Sequence, residues 1–116
     1  MKVASYLGLA LAFALVSACD SSDDGGEIPS DVATVLNANC ASCHGDPPAD
    51  APMPIVNCND ILAASPTNSS ITVLESIQVR INTSDDSLLM PPGAPLAAGP
   101  LETLNDWIDD GAPGCE

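Results

Sequence analysis

Of the three aromatic residues in this 116-residue chain, Tyr6 and Phe13 lie near its start and only Trp107 lies deep in the sequence. Residues 1–18 read as a segment removed on export, so Trp107 is the one aromatic of the mature protein. What remains is a domain of fewer than ninety residues, rich in Ala, Val, Leu and Ile, with a thin core. Such a domain needs a covalent staple, or a bound group that adds apolar bulk.

The export reading rests on Lys2, an apolar run from Leu7 to Val16, and small residues before a cysteine. The run is shorter than the ~20 apolar residues of a membrane span. Its end, Val16-Ser17-Ala18-Cys19, resembles the lipobox of bacterial lipoproteins. That resemblance implies lipidation of Cys19 and attachment to the inner or outer membrane facing the periplasm, or to the cell surface. The alternative is ordinary cleavage, with Cys19 free or disulfide-bonded. Residues 19–29 are rich in Ser, Gly and acid and read as a flexible tether of roughly 17 Å. The domain then runs from 30 to 116.

From Cys19 onward sixteen acids face the single Arg80, a formal charge of −15. This excludes nucleic acid and an anionic membrane surface as electrostatic partners and favours a protein with a basic surface.

Ser30 is placed to cap a helix carrying Val32, Val35 and Leu36 on one face and leading into Cys40. Residues 45–58 read as loop, and Asn59 or Asp60 opens a short helical turn to Ala64. Residues 71–81 satisfy two patterns. Their odd positions are apolar five times in six, as in a strand, whereas Ile71, Leu74, Ile77 and Ile81 share a helical face behind a Ser69/Ser70 cap. Gly99-Pro100 starts a last helix with Leu101, Leu104, Trp107 and Ile108 on one side, ended by Gly111 and Pro113.

Cys40-Ala41-Ser42-Cys43-His44 carries the chemistry. Its spacing lets two thiols join the vinyl groups of one haem while the adjacent imidazole reaches the iron. A buried porphyrin would supply the missing apolar bulk. The competing readings are a thioredoxin-like dithiol and half of a zinc site, and zinc lacks a second ligand pair. His44 is the only histidine, so the second axial ligand falls to methionine, to an outside group, or to nothing. Met90, stiffened by Pro91 and Pro92, is favoured, with Met53, between Pro52 and Pro54, as the alternative.

With its CASCH motif, later MPPG loop and LNDWIDDGAP ending, the chain resembles a small class I, single-haem cytochrome c over nearly all of residues 30–116. The resemblance implies an all-α fold of three to four short helices, in which the first and last helices cross around one covalently attached haem. It turns residues 71–81 to helix, places Arg80 near the haem propionates and packs Trp107 beside the haem. A solvated surface arginine is the other reading of Arg80. Two departures stand out: no aromatic in the first helix meets Trp107, and the mature chain has no lysine to ring the haem edge. With Cys19 assigned to lipid and Cys40 and Cys43 to haem, Cys58 and Cys115 are left to form a disulfide, two separate buried thiols being the other reading.

The expectation is therefore a membrane-anchored electron carrier with haem c and iron as cofactor, and no catalytic turnover of its own. Its partners would be redox proteins with a basic docking surface. The alternatives are a fixed haem subunit of a larger complex, and a haem-free thiol-redox or interaction lipoprotein.

Overall fold

The computed structural model describes residues 26–116. The signal segment, Cys19 and most of the tether lie outside the described residues. Among the described residues no helix is long and apolar enough to cross a membrane.

Helix α1 spans Ser30–Asn39 and buries Val32 and Leu36, one turn apart, with Val35 partly buried beside them. Pro29 rather than Ser30 stands at its N-cap, with no side-chain cap bond. Cys40 continues the hydrogen-bond ladder, its N–H donating to the Leu36 carbonyl at 2.8 Å, but its backbone departs from helical geometry. A second short helix, α2, Ala41–His44, follows at once. Beyond a loop, α3 spans Cys58–Leu62, opened by a capping box between Asn57 and Asp60.

The expectation of an all-α fold is corrected at this point. Strands β1, Ala64–Ser65, and β2, Asn68–Thr72, form a two-stranded antiparallel sheet, so the five helices among the described residues belong to a mixed α/β globule. The cause is local. The Asn68 side chain accepts from the Ser70 N–H at 3.1 Å, and the hydroxyls of Ser65 and Thr67 bond each other at 3.1 Å. Such side-chain contacts turn the chain where helix would leave those groups facing solvent. The ambiguous stretch thus divides, with strand up to Thr72 and then helix α4 over Val73–Asn82. Thr72 is the cap, its hydroxyl accepting from the Glu75 N–H while Glu75 accepts from the Thr72 N–H at 2.7 Å. Replacing Thr72 with alanine is expected to lower stability by ~1 kcal/mol, read as a shifted urea midpoint at unchanged slope. No shift would mean that α4 is held by its packing alone.

Helix α5, Ala98–Asp109, has Pro100 in its first turn and buries Leu104 and Trp107. Gly111, at φ 87°, ends it in a conformation that favours glycine. Helix α1 packs on α5, α5 on α4, and α4 on α3. One core cluster joins them, with Val32, Ile61, Val73 and Leu104 almost wholly enclosed. A disulfide links Cys58 at the head of α3 to Cys115, across 57 residues of sequence. The Glu27 N–H donates to the Gly114 carbonyl at 2.8 Å, and Ile28 packs on the core, so both ends of the described chain meet beside that disulfide.

Candidate functional site

The junction of α1 and α2 sets the site. Because α2 restarts immediately after Cys40, the Cys43 and His44 N–H groups both donate to the Cys40 carbonyl, at 3.2 and 2.9 Å. This winds Cys40, Cys43 and His44 along one wall of a cleft of about 420 Å³. Gly45 lets the chain leave α2, since a Cβ there would lie 2.9 Å from the Ala41 carbonyl. The following loop folds back over His44. The Ile55 N–H donates to the His44 carbonyl at 2.8 Å, and the Ala49 N–H to the Cys43 carbonyl at 2.9 Å.

His44 is 9 % exposed. Its Nδ1 lies 2.9 Å from the Met53 carbonyl oxygen. A carbonyl can only accept, so in the neutral ring Nδ1 carries the hydrogen and Nε2 keeps its lone pair. Sequence reasoning considered Met53 for its sulfur, whereas its backbone oxygen is what orients the imidazole.

The facing walls come from α4 and from the proline-rich loop after it. Helix α4 contributes Ser76, Ile77, Arg80 and Ile81, and the loop contributes Met90, Pro91 and Leu96. Met90 is pinned to α4, its N–H donating to the Arg80 carbonyl at 3.0 Å, while Arg80 Nη1 donates to the Leu88 carbonyl at 3.5 Å. The structure therefore brings together Cys40, Cys43, His44, Met53, Met90 and Arg80. Both methionines line the cleft. Trp107 is not among the lining residues. It lies in the core between α1 and α5, its Nε1 donating to the Pro113 carbonyl at 3.1 Å.

Ser76 was missed by sequence reasoning. It is 5 % exposed and lines the cleft. The detectable signal was the spacing Val73, Ser76, Ile77, Arg80, Ile81, which sets one small hydroxyl in an apolar helical face.

The expected cofactor, haem c with its iron, is corrected. Among the described residues no group of three or more His, Cys, Asp or Glu side chains could hold a metal ion. In the cleft itself His44 is the one imidazole and Asp50, an exposed residue, the one carboxylate. Cys58 and Cys115 are committed to their disulfide, which is not positive evidence for haem.

Cys40 and Cys43 are half-buried free thiols. Burial pushes the Cys40 thiol above its ordinary value, because the thiolate would lose solvation. Alkylation of Cys40, followed by mass spectrometry across a pH series, is expected to show a midpoint above that of the same cysteine in the urea-unfolded chain. An equal midpoint would mean that burial does not perturb the thiol, and a lower one that Cys40 is an activated nucleophile. Comparison with known protein families, with curated proteins and with solved structures returned no match for this chain.

Proposed function

We propose that the chain is a small electron-transfer protein that exchanges electrons with protein partners at this cleft and turns over no substrate of its own. One observation carries the reading. Two thiols, an imidazole with a free lone pair and two thioethers collect on a single apolar cleft. Most of the acids lie elsewhere. Among the described residues no thiol or hydroxyl is hydrogen-bonded to His44, as a base-activated nucleophile would be; its one hydrogen bond goes to the Met53 carbonyl.

What the described residues supply on their own is the Cys40–Cys43 pair. Closing it to a disulfide releases two electrons and two protons, which reduce a disulfide of the partner to two thiols. The burial of Cys40 works against rapid exchange, since the thiolate is the attacking species.

Intact mass and thiol counting on protein exported to an oxidising compartment test the dithiol. A Cys40–Cys43 disulfide that dithiothreitol opens supports it, and two unmodified thiols that no oxidant closes would contradict it.

The partner reading rests on charge. Among the described residues Arg80 is the one Lys or Arg, against thirteen acids, so productive encounter calls for a basic partner surface. The association rate is then expected to fall steeply with ionic strength. The lipobox supports attachment to a membrane through Cys19.

A further inference from the structure

The two thiols of the cleft are both half-buried, but against different surroundings. Cys40 stands at the junction of α1 and α2, where its N–H extends the α1 ladder to the Leu36 carbonyl at 2.8 Å. Its side chain packs against the hydrophobic core cluster that includes Leu36. Cys43 lies one turn further on, its N–H donating to the Cys40 carbonyl at 3.2 Å. It lines the cleft beside the exposed Ser42 and is not among the residues packed against that core. A spacing of three across this turn keeps both cysteines on one wall of the cleft.

The two steps of thiol–disulfide exchange make different demands. The first thiol must reach a disulfide held by another molecule, as a thiolate and with its sulfur open to that approach. The second attacks only its neighbour, and being held beside it offsets a low thiolate fraction. A thiol packed on the core meets the second demand and not the first. Burial also withholds the thiolate at Cys40, which loses solvation there.

We infer that Cys43 is the attacking thiol and that Cys40, packed on the core, is the resolving one, so the order runs from the second cysteine of the motif to the first. The Cys43 thiolate attacks one sulfur of the partner's disulfide and forms a Cys43–partner bond. The partner's other sulfur leaves as a thiolate and takes up a proton. Cys40 then loses its proton to solvent and attacks the Cys43 sulfur, forming Cys40–Cys43. The partner's second sulfur leaves and is protonated in turn. Two electrons pass to the partner and no other reactant is consumed. This deepens the dithiol reading of the cleft, on which it rests, by giving each thiol its step.

Glutathione disulfide is the probe, applied to the full exported protein with Cys40 and Cys43 reduced and Cys58–Cys115 closed, and intact mass is followed in time. Cys40→Ser is expected to accumulate a stable glutathione adduct that peptide mapping places on Cys43. Cys43→Ser is expected to stay unmodified over the same interval. In wild type, acid quenching early in the reaction is expected to trap the transient adduct on Cys43, an arm that needs no variant. Urea midpoints of both variants establish that they fold. An adduct that maps to Cys40 in wild type, or that forms as fast or faster in Cys43→Ser than in Cys40→Ser, overturns the order and leaves the dithiol reading standing. Wild type that forms neither an adduct nor a Cys40–Cys43 disulfide overturns the dithiol reading and the order with it.

Discussion

Trp107→Ala lowers the unfolding free energy by about 3–5 kcal/mol, the range found for removing a large aromatic from a core. The residue is 6 % exposed at the contact of α1 and α5. The chain has no other aromatic after Phe13, and the groove beside Trp107 is lined largely by polar residues, Asp31, Glu102, Thr103 and Asp106 among them, which do not replace its apolar volume. The substitution also strips the Pro113 carbonyl of the indole N–H that meets it at 3.1 Å. Small domains have about 5–15 kcal/mol in total, so this change alone brings the fold close to its limit. Urea unfolding followed by far-UV circular dichroism measures it. A loss below about 1 kcal/mol would place the main core elsewhere.

The Cys58→Ala/Cys115→Ala double variant is expected to lose ~4 kcal/mol, the entropy of a closed loop of that length in the unfolded chain. The bond fastens the head of α3 to the C-terminal segment, where Glu27 also bonds Gly114. Both cysteines are 1 % exposed, so the methyl groups that replace them leave a gap as well. The comparison is between the double variant and wild type under oxidising conditions, with reduced wild type as a second control. Reduced wild type should resemble the variant. If all three unfold at the same urea concentration, the link is incidental to stability.

Much of the helical frame was legible because apolar spacing and punctuation agreed. Val32 with Leu36, and Leu104 with Trp107, fall one turn or less apart, while Pro100 and Gly111 bracket α5. The pairing of Cys58 with Cys115, expected because Cys19 was assigned to lipid and Cys40 and Cys43 to haem, is present although the haem premise is corrected. The sheet was not, because its turn depends on side-chain bonds of Ser65, Thr67 and Asn68 that no hydrophobic period reports. Residues 71–81 satisfied both periods for a physical reason: strand and helix meet inside the stretch. The Thr72-Val73-Leu74-Glu75 capping box marks the boundary, and it was passed over for Ser69 and Ser70.

In the site, the CASCH spacing singled out Cys40, Cys43 and His44, and the cleft that they line also takes in Met53, Met90 and Arg80. Three matters lay beyond the sequence. The Met53 carbonyl fixes the His44 tautomer through a backbone atom, which residue identity does not encode. Ser76 draws its meaning from burial. Trp107 belongs to the α1–α5 core, not to the cleft wall. The haem expectation came from the CASCH motif, the thin core and the family resemblance, and no metal-holding group of side chains among the described residues accompanies it.

In the proposed function Cys40 and Cys43 are the groups through which this chain carries electrons. Protein-film voltammetry on the exported protein, beside Cys40→Ser and Cys43→Ser, tests it most directly. A reversible wave is expected in wild type and is lost in both variants, while the Cys58–Cys115 disulfide remains intact in all three. A wild type with no wave, or a wave that survives in both variants, would contradict it.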